Sequence, residues 1–184
     1  MTVLKIMSIN ANGLQRPSQF QKFLKSAKVW ATADKSHIFL VQEHNFKPES
    51  GPERKREACA AGFHMIISFA PEKTKQDGTK HYPGGTFVLL LERVATYQET
   101  ITSEAGLTRV KFIHEGIERE VASIYAPARP LERIDFFKEL KAKEPPDDYT
   151  PAPPSKLSPN TILGGDMNCV EDVTLDVIGP NPLR

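Results

Sequence analysis

Cysteine is scarce in this chain: two in 184 residues, Cys59 and Cys169. They stand far apart and outside any CxxC spacing, which excludes a clustered zinc site and a disulfide framework and suits a reducing compartment. Long apolar runs are missing as well. No stretch approaches the roughly 18 consecutive residues of a membrane helix, so no membrane partner is expected. The N-terminal run MTVLKIMSIN carries Lys5 inside it and lacks a cleavage-site pattern, so it reads as a first strand, not a signal peptide. An excess of one charge is absent too, with 24 Lys and Arg against 23 Asp and Glu and a formal net charge of +1. Such a balance creates no whole-molecule field for a polyanion, so any attraction must come from local patches. Internal repeats are absent.

What is present suits one globular domain over residues 1–184, with 39% hydrophobic residues to build a core. Val3 to Ile9 reads as a buried strand closed by Asn10-Ala11-Asn12-Gly13. Ser18, with Gln21 three residues on, forms a capping-box pattern, and Phe20, Phe23, Leu24, Ala27 and Trp30 or Ala31 follow at helical spacing. IFLVQ (38–42), HMIISFA (64–70) and TFVLLL (86–91) read as buried strands. Residues 52–61 read as a helix stopped by Gly62, and 71–83 as a polar loop. TRVKFIH and IEREVASIY flank Glu115-Gly116 as a hairpin, and Leu131, Ile134, Phe137 and Leu140 mark another helix after Pro130. Residues 145–159 hold six of the prolines, which is loop chemistry. Only one strand and a short tail follow, so this is a loop inserted within the domain rather than a linker between two. The architecture is mixed α/β, with several hairpin-connected strands.

Four apolar runs end on chemically related residues: Asn10, Glu43, Tyr125, and Asp166 with Asn168. In open α/β sheets ligands bind at that end of the strands. Each residue alone has an ordinary explanation: a solvated strand end for Glu43, turn formers in Asn10 and Asn12, core packing with a polar tip in Tyr125, an Asx-turn at Asp166 and Asn168. Together they suit hydrolysis of a phosphate ester with Mg²⁺ or Mn²⁺. Mg²⁺ takes oxygen ligands, often only one or two carboxylates, and keeps most of its waters. Glu43 supplies one carboxylate, and Asp166 orients a water or helps hold the ion. Tyr125 and the asparagines donate to the non-bridging oxygens, where charge builds.

SINANGL, FLVQEHNF, GGTFVLL, ASIYAP and ILGGDMN occur in the order found in the endonuclease/exonuclease/phosphatase superfamily. The chain most resembles the apurinic-type endonuclease domain of LINE-type (non-LTR) retrotransposons, over nearly all of residues 3–172. The resemblance implies a two-sheet β-sandwich flanked by helices, DNA as substrate, Mg²⁺ or Mn²⁺, and no further cofactor. It places Asn10 in the active-site shell, Glu43 as principal metal ligand, Tyr125 on the scissile phosphate, Asp166 on the attacking water and Asn168 on that water or the phosphate. Asn12 matches the second polar position of the first motif, as a substrate-binding residue.

Two departures stand out. Ala128 follows Tyr125-Ala126-Pro127 where such proteins often carry Asn, and the superfamily's C-terminal Ser-Asp-His signature is absent. All five histidines precede Asp166, so none takes that place by chain order. The expectation is a domain lacking its C-terminal part, with reduced or no activity. PERKRE (52–57) and Lys73, Lys75 and Lys80 are basic features that suit a nucleic-acid backbone, or simply a solvated face. His44 beside Glu43 is expected to point away from the site. Two alternatives to a DNA endonuclease remain open: a phosphatase of the same fold, and a non-catalytic fragment or binding module. A retrotransposon endonuclease must reach chromosomal DNA, yet no import signal is evident.

Overall fold

The computed structural model describes residues 3–33, 36–104, 106–140 and 161–168. Two four-stranded mixed sheets stack face to face, and their composition follows from the apolar runs. Strand β1 (Ile6–Asn10), helix α1 (Pro17–Ala33), β2 (Ile38–Gln42), α2 (Gly51–Ala60), β3 (Phe63–Ser68), the short β4 (Lys73–Thr74) and β5 (Lys80–His81), and β6 (Thr86–Leu91) form the first half. Then come β7 (Thr96–Glu104), β8 (Leu107–His114), β9 (Ile117–Tyr125), α3 (Pro130–Leu140) and β10 (Thr161–Asp166). The first sheet runs β1-β2-β6-β3 and the second β10-β9-β8-β7, while β4 and β5 pair as a separate hairpin.

Both faces of β2 and β6 are covered, which is why IFLVQ and TFVLLL are continuous apolar runs rather than alternating ones. Phe39, Val41, Phe87 and Leu89 point one way, onto Phe20, Phe23, Leu24 and Ala27 of α1 and Ala58 of α2. Ile38, Leu40, Val88 and Leu90 point the other way and meet Val110, Phe112 and Val121 of the second sheet. The outer face of that sheet, Leu107, Ala122 and Ile124, carries α3 through Leu140, Phe136 and Phe137. The order is helix, sheet, sheet, helix: the expected four-layer α/β sandwich. Among the described residues no helix is long and apolar enough to cross a membrane.

Two parallel strand pairs position the site. β1 lies parallel to β2 with Asn10 opposite Gln42, and β10 lies parallel to β9 with Asp166 opposite Tyr125. Their C-terminal ends emerge at the same end of the sandwich. Four buried polar side chains tie the sheets together there. Gln42 Nε2 donates to Ser123 Oγ at 3.0 Å, and the Thr86 and Thr108 hydroxyls bond at 2.7 Å. Buried polar groups must be paired, so these ties fix the register of one sheet on the other just below the site.

The structure departs from the sequence reading in three places. Helix α1 begins at Pro17, not after a Ser18 cap: Gln19 Oε1 accepts the Arg16 N–H at 3.2 Å, so the reciprocal bond is shifted two residues and proline takes the first helical position. The polar loop at 71–83 contains the β4–β5 hairpin, held by a Glu72–Lys80 ion pair at 2.9 Å. Strand β7 was not legible because register shifts at Tyr97/Glu99 and Thr100/Thr102 break the two-residue alternation of an edge strand. The Glu115-Gly116 turn is as expected, with φ of 51° and 75°, the double positive φ of a tight hairpin. The proline-rich stretch 145–159, Cys169 and the last residues of the chain lie outside the described residues.

Candidate active site

The ends of the four strands converge into one hydrogen-bonded cluster. Asn10 Nδ2 donates to Glu43 Oε1 at 3.2 Å and to Asp166 Oδ2 at 2.8 Å, joining carboxylates from different sheets. Asp166 Oδ1 accepts the Asn168 N–H at 2.9 Å, and the Asn168 carboxamide donates to Ala126 O at 2.6 Å. The Asx-turn and the cluster are therefore the same structure: one carboxylate oxygen holds the turn, the other faces Asn10. The Tyr125 phenol lies beside the Glu43 and Asn168 side chains and interacts with both. Burial, and then the Glu43 carboxylate, push its phenol up to about 12. Tyr125 thus stays protonated at neutral pH and donates hydrogen bonds.

Glu43 sits in the left-handed backbone region, at φ 56°. Asn12 (φ 45°), Asn45 (φ 56°), Asn168 (φ 48°) and, in the hairpin turn, Glu115 (φ 51°) share it, but asparagine adopts that conformation more readily than glutamate. Strain of this kind costs about 1–3 kcal/mol and collects at functional positions. Neighbouring backbone bonds enforce it: Glu43 N–H reaches Gly85 O at 3.0 Å, and Glu43 O accepts Gly13 N–H at 2.7 Å.

His44 does point away, into the core. Its Nδ1 accepts the Phe46 N–H at 2.9 Å, so Nε2 bears the proton and donates to Ser68 O at 2.8 Å. Burial lowers its pKa from 6.5 to about 4, keeping the ring neutral. The unfolded chain therefore binds more protons between those values, so His44's contribution is full above pH 6.5 and is lost as pH falls toward 4. At about 1.4 kcal/mol per pH unit, that loss is about 3 kcal/mol. His44→Gln can remake both bonds without titrating. Its unfolding free energy, measured by urea titration, is expected to fall less steeply between pH 6.5 and 4 than that of the unaltered protein. Some slope remains, because burial also lowers the pKa of His37 and His64.

The glycines of ILGGDMN serve packing between strands. A Cβ on Gly164 would lie 2.7 Å from Leu40 Cδ1 of the other sheet, and one on Gly165 only 2.0 Å from Ile124 O. Asn10, Glu43, Tyr125, Asp166 and Asn168 are together. Asn12 is beside the cluster, not in it: its N–H caps Asn10 Oδ1 at 3.0 Å, and its exposed residue lines an adjoining polar cleft. Gln42, Ser123, Thr86 and Thr108 were missed as supports of the site, although a polar residue inside an otherwise apolar strand is the signal that marks them.

The donor set is entirely oxygen and amide nitrogen. Among the described residues no group of three or more His, Cys, Asp and Glu could hold a metal ion by itself. An all-protein cage, such as structural zinc requires, is therefore not formed by these residues. Two carboxylates joined through Asn10 do fit Mg²⁺, which completes its octahedron with water and phosphate oxygens.

No family model and no curated protein matches the sequence. Solved structures match the fold. The endonuclease domain of TRAS1, a telomere-specific non-LTR retrotransposon, superposes with TM-score 0.54 at 16% identity, covering 91% of this chain and 62% of that one. The human Nocturnin catalytic domain with bound sulfate gives 0.54 at 13% identity, covering 91% and 64%. D. rerio TDP2 complexed with a single-strand DNA product gives 0.51 at 17% identity, covering 91% and 62%. The chain thus spans less than two thirds of the length of these proteins. At such identities the likeness is one of fold, and the fold is that of the endonuclease/exonuclease/phosphatase sandwich.

Proposed function

We propose that this chain carries a Mg²⁺- or Mn²⁺-dependent phosphodiesterase centre, within one domain, that acts on DNA as a nicking endonuclease. The observation that supports this most is the hydrogen bonding of Asn10 to both Glu43 and Asp166 across two sheets. Three further features agree: the strained Glu43, the protonated Tyr125, and a fold shared with a retrotransposon endonuclease domain and a DNA-bound TDP2.

Glu43, with Asp166 close by, would hold the ion. When bound, the metal neutralises charge on the phosphate and polarises its oxygen for attack. Asp166, held by two N–H donors, orients a water and accepts its proton. Asn168 fixes the Asp166 loop through its N–H and ties it to Ala126, next to Tyr125, through its side chain. Tyr125 O–H donates to a non-bridging oxygen, where negative charge grows in the transition state, while Asn10, with both Nδ2 hydrogens committed, holds the two carboxylates in place.

Incubation with supercoiled plasmid tests the reading. Open-circle product should form with Mg²⁺ and vanish with chelator. Tyr125→Phe should slow nicking about 10²–10³-fold, the usual effect of deleting one donor to developing negative charge. Folded protein that never nicks, or nicking that is indifferent to chelator and to Tyr125→Phe, would contradict it.

A further inference from the structure

Two clefts adjoin the proposed centre on either side of Glu43. One, of about 370 Å³, has polar walls that include Asn12, Gln15, Arg16 and Asn45. The other, of about 340 Å³, lies beside Tyr125, and its lining includes Pro71, Pro83, Phe136, Lys73, Arg129 and Glu132. The backbone of Glu43 runs between them, bonded to Gly13 on the first side and Gly85 on the second.

We infer that the two clefts form one groove for a polynucleotide strand, with Arg16 on one side of the scissile phosphate and Lys73 and Arg129 on the other binding the flanking phosphates. The location of the scissile phosphate rests on the phosphodiesterase reading above. Three observations support a polymer over a small ester. First, a small ester fills one cleft and leaves the other unused, whereas contacts to successive backbone phosphates set the register of a strand. Second, the proline and phenylalanine side chains lining the second cleft suit the faces of sugar and base, which stack on such surfaces, and not a second cluster of phosphates. Third, the cations are available. Arg16 and Lys73 are exposed and join no salt bridge among the described residues. Among the described residues the Arg129 side chain pairs with Glu132 alone, at 3.1 Å, with side chains 82% and 55% exposed, a pair weak enough to give way to phosphate. Lys80, by contrast, is committed to Glu72 at 2.9 Å in the hairpin. Within the basic stretch at 52–57, Arg54 is likewise engaged, buried against Glu57 at 2.6 Å.

Fluorescence anisotropy of a short labelled DNA duplex, with Ca²⁺ replacing Mg²⁺ to stop turnover, reads the groove directly. Phosphate contacts release counterions, so log affinity falls with log salt by about 0.9 per contact. The combined Arg16→Ala, Lys73→Ala, Arg129→Ala variant should bind at least roughly tenfold more weakly, with a slope shallower by about 2 to 3. A charge-matched control, Lys25→Ala, Lys28→Ala and Arg93→Ala, lies toward the opposite end of β6, where Lys28 and Arg93 line another cleft; it should keep the original slope. Equal slope loss in both variants, no slope change in the first, or no binding by the unaltered protein would overturn the groove. Hydrolysis of bis(p-nitrophenyl) phosphate by the unaltered protein reads the centre separately. Turnover of that ester without the slope change sinks the groove and leaves the centre. The slope change without turnover of any diester sinks the centre and leaves a DNA-binding surface.

Discussion

Asp166→Asn is expected to lower phosphodiester turnover about 10²–10⁴-fold, the range for loss of a positioned proton acceptor. The two side chains have the same shape, so the fold should persist. Their chemistry differs at both oxygens. Asp166 Oδ1 accepts Asn168 N–H at 2.9 Å and Oδ2 accepts Asn10 Nδ2–H at 2.8 Å. A carboxamide offers one acceptor, so its NH₂ must face one of these donors. If the turn keeps the oxygen, Asn10 loses its bridge between the sheets; if Asn10 keeps it, the turn opens. Either way no group remains to take a proton from water. Steady-state kinetics on a diester, with circular dichroism to verify the fold, checks the result. Turnover within a few-fold of the unaltered protein would remove Asp166 from the chemistry.

Glu43→Asn is expected to separate stability from activity. Glutamate at φ 56° is strained, and asparagine adopts that conformation readily, so a stability gain of up to about 1 kcal/mol is expected. The shorter carboxamide cannot supply a charged oxygen at the same place, and the bond from Asn10 is lost with it. Diester hydrolysis should therefore fall about 10³-fold or more, the scale of losing a central catalytic group. A variant more stable and inactive is the usual sign of a conformation kept for function. Thermal unfolding beside the kinetic assay reads both halves. A large loss of stability would show that Glu43 holds the fold together and is not strained for another purpose.

Much of this architecture was legible in the residues. IFLVQ and TFVLLL announced strands covered on both faces, and the helix period from Phe20 to Trp30 announced the layer over them. Glu115-Gly116 specified its hairpin through the positive φ that such turns need. Other features had no local signature. The bulges of β7 interrupt its alternation, and the Arg16–Gln19 cap uses residues that rarely cap helices. For the site, strand ends placed Asn10, Glu43, Tyr125, Asp166 and Asn168 at one end of the sheets. What sequence did not reveal was which bonds join them, because Asn10 and Asp166 are 156 residues apart and meet only when the sheets stack. The Gln42–Ser123 and Thr86–Thr108 ties that align the sheets are equally non-local. The left-handed Glu43 is likewise set by Gly13 and Gly85, from the segments after β1 and before β6.

The most direct measurement is the Mg²⁺ dependence of bis(p-nitrophenyl) phosphate hydrolysis in the unaltered protein, Glu43→Gln and Asp166→Asn. If Glu43 holds the metal and Asp166 handles the water, Glu43→Gln should move half-saturation to much higher Mg²⁺. Asp166→Asn should lower the plateau with half-saturation nearly unmoved. Hydrolysis that needs no divalent ion, or that survives both substitutions with the same Mg²⁺ curve, would contradict a metal-dependent centre at these strand ends.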